Sequence, residues 1–242
     1  MKGVVMLKRN VTLVLLFITG AIILIYPHVA QQVNKTVQRS HAEEVIETYR
    51  TLDPELVEAR VNEMKRCNEA IFQGGSNVHD PFTYEYDLDD IEQCRNMINA
   101  DGAIASIEIP SLHLFIPIYV GAKEKQLSQG IGQVEGSSLP LGGANTHTVL
   151  AGHRGMGTKA MFRNLDELQR GDIFYIHTVD TSLMYEVFDV EVILPTETEN
   201  LHIEQGKDLA SLITCHPYRH NSHRLVVHGE RKKNEKGDYE NE

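Results

Sequence analysis

The chain has 242 residues, 41% of them apolar and 24% charged, which suits one medium domain with extras and excludes wholesale disorder or a collagen-like repeat. It carries 23 Lys and Arg against 34 Asp and Glu, a formal net charge of −11. That balance argues against sequence-independent nucleic-acid binding, which depends on neutralising phosphates, and three cysteines are too few for a disulfide scaffold.

The first element reads as a membrane segment. Residues 1–10 hold Lys2, Lys8 and Arg9 and no acid, and Val11 to Tyr26 carries no charge. Extended to Ala30, the run has 20 residues, roughly 30 Å as a helix and about one hydrocarbon core. The next basic residue is Lys35. The positive-inside bias places residues 1–10 in the cytoplasm, makes 11–30 a single-pass signal anchor in the cell membrane, and puts the remainder outside. A cleaved signal peptide is the rival reading, but the run is long for one and no A-x-A site follows. Either way residues 31–242, with 20 basic and 34 acidic residues, lie outside the cytoplasm. There is no second apolar run of that length, so no C-terminal anchor is expected.

Residues 31–102 read as a helical arm. Val33, Val37, Val45, Ile46, Tyr49, Leu52, Leu56, Val57, Val61 and Met64 recur at helical intervals. Asp53-Pro54-Glu55 breaks the run and suits a cap with Pro in the first helical position. Gly74-Gly75-Ser76-Asn77 predicts a loop that continues through Asp80-Pro81-Phe82, and residues 89–100 suit one more short helix. Cys67 and Cys94 can pair outside the cytoplasm or remain separate thiols on amphipathic helices.

The pattern changes near residue 103. Residues 104–110 and 114–121 are short Ile- and Val-rich runs that predict two strands. A short helix is expected over 123–130, a Gly-rich loop through Gly142-Gly143, and a strand over 146–151 that ends at Gly152-His153-Arg154-Gly155. Residues 162–168 suit a helical turn, and 172–177, 182–194, 210–215 and 224–228 suit strands. Seven or eight short strands with few helices indicate a closed barrel or sandwich, so the fold class is mostly β. The tail, 232–242, is charged and apolar-poor, the composition of a disordered segment.

Cys215 ends the predicted strand Ser-Leu-Ile-Thr-Cys, where a nucleophile can be held rigidly and still reach solvent. A thiol needs a base or a positive neighbour to react near neutral pH, and His153 and Arg224 are candidates. The plain alternative is a small buried apolar residue. His216, His220 and His223 follow in Cys-His-x3-His-x2-His spacing, which resembles a zinc site. Pro217 and Asn221 argue against that geometry, and a metal on Cys215 would quench its nucleophilicity. No metal and no cofactor are expected.

The stretches Ile107-Glu-Ile-Pro, Ile116-Pro-Ile-Tyr, Gly136-Ser-Ser-Leu-Pro-Leu-Gly-Gly, His147-Thr-Val-Leu-Ala-Gly-His-Arg-Gly, Leu212-Ile-Thr-Cys and His223-Arg-Leu-Val-Val-His-Gly-Glu-Arg resemble, in this order, a sortase over residues 103–231. The resemblance implies an eight-stranded sortase-type β-barrel. It implies His153 as acid and base, Cys215 as nucleophile and Arg224 as the cation beside the acyl intermediate. It also implies transpeptidation at an LPXTG-like signal, through a Cys thioester that an amine displaces. Thr214 and Ser222 are possible supports of the site. His216 and Arg219 stand where Thr and Gly are usual in the family, which alters the rim of the pocket.

Asp80-Pro81-Phe82, upstream of the barrel, resembles the lid of class C, pilus-polymerising sortases. Asp80 can pair with Arg224, Pro81 can fix the turn and Phe82 can cover the sulfur of Cys215. Taken as an exposed ion pair worth about 0–1 kcal/mol and a sulfur–aromatic contact worth about 0.3–1.5 kcal/mol, these contacts describe a gate that opens thermally. The expected partners are pilin subunits with LPXTG-like C-terminal signals, the membrane through the N-terminal helix, and no nucleic acid. A housekeeping sortase that anchors proteins to peptidoglycan is the alternative, and a non-catalytic membrane-anchored binding module a further one. A papain-like protease is disfavoured, because His153 precedes Cys215 and the papain-type cysteine signature is absent.

Overall fold

A computed structural model of the chain describes residues 2–83, 102–157 and 159–232. The expected helix over 89–100, the second arm cysteine Cys94 and the tail beyond Lys232 lie outside the described residues.

Helix α1 runs unbroken over Lys2–Thr51, with Pro27 inside it. The change at residue 30 is therefore one of composition, not of backbone. Phe17 and Leu24 are about three-quarters exposed, and among the described residues this is the one helix long and apolar enough to cross a membrane. Further along, Gln38, Ala42 and Tyr49 share a face and are buried against the barrel. Ser106 Oγ donates to the Ala42 carbonyl at 3.0 Å, and Gln38 Nε2 reaches the Met161 sulfur at 3.1 Å. Asp53 then caps helix α2 (Pro54–Gly74), accepting from Glu55 N at 2.9 Å, with Pro54 in the first position where its missing N–H costs nothing. Gly75, at φ 87°, ends the helix in a left-handed turn. On α2, Val61, Met64 and Cys67 face the core, and Cys67 is disulfide-bonded.

Eight strands form the barrel: β1 (Ala103–Ile109), β2 (Leu114–Val120), β3 (Ile131–Gln133), β4 (Thr146–Ala151), β5 (Ile173–His177), β6 (Ser182–Ile193), β7 (Asp208–His216) and β8 (His223–Lys232). They close in the order β1-β2-β3-β4-β7-β8-β6-β5. Most neighbours are antiparallel, but β2–β3 and β4–β7 are parallel. Helix α3 is a single turn, Glu124–Leu127, shorter than the expected 123–130. β3 has no counterpart among the predicted strands; three residues, one of them Gly132, carry too little pattern to be read. β8 runs four residues past its expected end.

Strand period explains how the core divides. Leu150, Leu212, Leu225 and Val227 enter the main cluster with Ile107, Ile116, Ile118, Phe174 and Tyr185. Their immediate neighbours Val149, Ala151, Ile213 and Val226 enter a second cluster on the opposite face, covered by Leu201 and Val78. Strand β4 is consequently buried at all six positions, as expected of a parallel-paired strand covered on both sides.

A buried polar bracket on α2 adds to the bonds that α1 makes and to the apolar contact between arm and barrel. Buried Asn68 donates from Nδ2 to the Leu139 carbonyl at 3.1 Å and accepts from Leu139 N–H at 2.7 Å. Replacement of Asn68 by Ala removes both bonds. Thr148 Oγ1 still serves the carbonyl at 3.3 Å, while the N–H loses its acceptor. The expected cost is about 1–3 kcal/mol, measured as a lowered midpoint in urea or thermal unfolding. An unchanged midpoint would show that the arm does not depend on this bracket.

Candidate active site

Three neighbouring strands end at the same edge of the barrel. β4 and β7 run parallel with Ala151 opposite Ile213. Past the end of β4 the pairing continues: Gly152 N donates to Ile213 O at 3.1 Å, and Thr214 Oγ1 donates to Gly152 O at 2.7 Å. His153 therefore leaves β4 alongside the end of β7. On the other side, β7 and β8 are antiparallel, with Cys215 directly opposite Arg224. The register thus brings His153, Cys215 and Arg224, which lie up to 71 positions apart in the chain, onto three adjacent strand ends.

Cys215 is a free thiol, 9% exposed. His153 Nε2 lies 3.2 Å from Glu124 Oε2, at the first position of α3. Arg224 is 1% exposed and fully engaged. Its Nε and Nη2 donate to the two carboxylate oxygens of Asp80 at 2.5 and 2.8 Å, and Nη1 donates to the carbonyls of Asn221 and His223 at 2.9 and 2.8 Å. The fork–fork geometry is the strong form of an arginine–carboxylate pair.

Asp80, Pro81 and Phe82 lie on the segment that leaves α2. Asp80 and Pro81 are buried. The Phe82 ring lies 5.2 Å from the Arg224 guanidinium carbon, a cation–π distance, and 6.3 Å from the His153 ring. Phe82 thus packs on the Arg and His of the trio. The Asp80–Arg224 pair is not the exposed pair that the sequence suggests: the two side chains are 4% and 2% exposed. Removing one partner of a buried pair leaves a desolvated charge, so the pair ties the segment firmly to the end of β8. The root of the segment is pinned as well. Ser76 Oγ donates to Gly136 O at 3.1 Å, and Gly136, at φ 79°, lies so close to the Asn77 carbonyl that any Cβ would collide with it.

Burial is the main cause that pushes the Cys215 thiol up. Arg224 pulls it down, Asp80 pushes it up and Arg154 pulls it down, in that order. With Asp80 in place the thiol form is favoured over the thiolate, the species that attacks.

The remaining candidates are placed as follows. Thr214 is buried and ties β7 to Gly152. Ser222 is exposed and bonded to His223 Nδ1 at 2.9 Å. His216 Nδ1 lies 2.6 Å from Arg154 Nη1, and His220 is exposed. Among the described residues no group of three His, Cys, Asp or Glu is arranged to hold a metal. Sequence reasoning missed Glu124 and Arg154. Arg154 was detectable as the neighbour of His153, whereas nothing local ties Glu124 to a histidine 29 positions away. A further chain of bonds lies on the same sheet face as Cys215: His147 Nε2 to Ser211 Oγ at 2.7 Å, Ser211 Oγ to His228 Nδ1 at 2.8 Å, and His228 Nε2 to Glu191 at 2.9 Å. Burial pushes His147 down to about 4, so it is neutral at physiological pH.

Comparison with known proteins adds three findings. The sortase domain model matches residues 107–232. Sortase A of Bacillus anthracis is 32% identical over 127 residues, 52% of this chain and 59% of that protein, so the match spans a little under three-fifths of that relative. Among solved structures, Streptococcus pneumoniae sortase C is 38% identical with TM-score 0.73, covering 83% of this chain and 98% of the other. Sortase C1 of GBS pilus island 1 is 34% identical with TM-score 0.72, covering 86% of this chain and 96% of the other.

The contacts of Asp80 and Phe82 generate a prediction about Cys215. The double substitution Asp80→Ala with Phe82→Ala removes the ring that packs on Arg224 and His153 and one of the causes, after burial, that push the thiol up. Labelling of Cys215 by a small thiol reagent should quicken, by about tenfold for each unit that its pKa falls, and the pH midpoint of labelling should move down. Equal labelling of the double variant and the parent at matched pH would show that the segment does not guard Cys215.

Proposed function

This chain belongs to the sortase family, and we propose that it is a membrane-anchored cysteine transpeptidase of the pilus-polymerising class. In this reading α1 is the anchor, residues 31–102 form the arm and its lid, and residues 103–231 do the chemistry. The catalytic domain faces the outside of the cell.

The three strand ends support the following reaction. The Cys215 thiol gives its proton to His153, and the thiolate attacks the Thr carbonyl of an LPXTG-like signal and forms a tetrahedral oxyanion. Arg224, once free of Asp80, offers fixed charged donors to that oxygen. As the intermediate collapses the Thr–Gly bond breaks, and His153 gives its proton to the departing Gly amine. The acyl group remains on sulfur as a thioester, which conserves its activation. A Lys amine of the next pilin then attacks, His153 takes its proton, and the sulfur leaves as thiolate. The Glu124 carboxylate, 3.2 Å from His153 Nε2, gives the ring a partner that can orient it.

One observation carries the class assignment: the bidentate Asp80–Arg224 pair, with Phe82 against both Arg224 and His153, from a segment wholly upstream of the barrel. The same donors cannot serve Asp80 and an oxyanion at once, so substrate entry requires the segment to move. The structural likeness supports the assignment too, because it covers 83–86% of the chain and extends well beyond the barrel. The Streptococcus pneumoniae relative is a sortase C with a described pilin substrate specificity, and the GBS relative comes from a pilus island.

A housekeeping role, with a peptidoglycan-precursor amine as acceptor, has the Sortase A likeness in its favour. The acceptor separates the two. Incubated with purified pilins, the chain should build covalent ladders joined through Lys, read by mass spectrometry. Cys215→Ala and His153→Ala should abolish both thioester and ladder, and Arg224→Ala should slow turnover by about 10²–10³. Transfer to a cell-wall amine without any ladder would favour the housekeeping role. Normal ladders from Cys215→Ala would overturn the mechanism, and binding without turnover by the parent would favour a non-catalytic module.

A further inference from the structure

Arg154 is the residue after His153, yet its side chain turns inward and is only 8% exposed. One terminal nitrogen, Nη1, lies 2.6 Å from His216 Nδ1 and 3.4 Å from the Cys215 carbonyl. The other, Nη2, is paired with Asp166 at 2.8 Å. A single guanidinium therefore joins three pieces of chain: the loop that carries His153, the turn near Asp166, and the end of β7 that carries Cys215. The planar fork reaches these partners in fixed directions, which a lysine ammonium cannot reproduce.

We propose that Arg154 is a positioning residue that staples the His153 loop to the end of β7 and so sets the geometry between His153 and Cys215, with His216 as the acceptor that completes the staple. The proposal rests on the reading of Cys215 and His153 as the reacting pair. Strand pairing alone holds β4 to β7 only as far as Gly152 and Thr214, one residue short of each. Arg154 spans that last residue.

His216 gives the staple a protonation requirement. Arg154 can only donate, so His216 Nδ1 must present its lone pair, and the ring must be neutral with its proton on Nε2. Protonation removes the acceptor and sets two cations side by side. The charged and titratable groups facing His216 are Arg154 from the loop after β4, Asp166 from the turn beyond it, and His223 across the strand pair. Burial and then Arg154 push His216 below the ordinary imidazole range, while Asp166 pulls it up. A depressed pKa means that the neutral, bonded form prevails above the ordinary value and is lost as pH falls through the depressed one.

The test uses the full chain in lipid nanodiscs, in the Asp80→Ala, Phe82→Ala background so that lid movement does not limit the rate. The probe is a Leu-Pro-x-Thr-Gly peptide, with kcat, KM and Cys215 labelling all read. Arg154→Gln should lower kcat by at least about tenfold and leave KM within about twofold, because geometry and not peptide binding is lost. Arg154→Lys, which keeps the charge, should stay nearer to Arg154→Gln than to the parent. Each profile normalised to its own maximum, His216→Asn should decline less than the parent between about pH 6.5 and 5, because an amide oxygen accepts from Arg154 without titrating. Turnover by Arg154→Gln within twofold of the parent would overturn the proposal, as would full rescue by Lys. If Arg154→Gln does not fold, the His216→Asn profile decides, and superposition on the parent overturns the proposal. A parent that turns over no peptide while Cys215 still labels overturns the catalytic reading on which the staple stands, whereas a turning-over parent matched by Arg154→Gln overturns the staple alone.

Discussion

The register between β4, β7 and β8 is the constraint on which the candidate site depends. Parallel pairing aligns the ends of β4 and β7, and antiparallel pairing sets Cys215 across from Arg224. Because side chains alternate with a period of two, a slip of one residue in β7 would turn Cys215 to the other face of the sheet and bring Thr214 in its place. The two apolar clusters resist such a slip. Leu212 would leave the main cluster as Ile213 entered it, and β7 would exchange its whole buried set.

Upon this frame the arm does two different jobs. Through Gln38, Ala42, Tyr49, Val61 and Met64 it covers one side of the barrel and adds to the core. Beyond Gly75 it crosses to the edge that carries Cys215, and Asp80 reaches Arg224 there. The pair is buried, and each charge is satisfied by the other while they are together. Asp80 engages the guanidinium of Arg224, and at Cys215 burial first, with Asp80 adding to it, pushes the thiol up.

The polar groups on the same sheet face are graded along its length. Charged groups and the thiol stand at the open edge. Val149, Ile213, Val226 and Ile193 follow, and the bonded chain through His147, Ser211, His228 and Glu191 closes the far end. Neutral His147 lets that chain be buried without an unpaired charge, consistent with its strong downward shift. Arg154 performs a related task at the near end, using one buried guanidinium to hold backbone that the sheet no longer pairs.

What could be read from the chain alone were the features that are local or periodic. The apolar run after Val11, the Asp53-Pro54 helix start, the β-rich pattern from residue 103 and the grouping of Cys215 with its flanking strand residues each depend on neighbours a few positions apart. The family-like segments around His153, Cys215 and Arg224 marked those residues before any contact was known. Other properties belong to pairings across the chain. The barrel order, the two parallel strand pairs and the three-residue β3 depend on non-local hydrogen bonds that leave no periodic trace. The burial of the Asp80–Arg224 pair depends on what covers it, so an ion pair expected at the surface proved to be enclosed. Glu124 reaches His153 and Arg154 reaches Cys215 and His216 for the same reason: proximity in a barrel is set by strand register, and separation in sequence does not encode it.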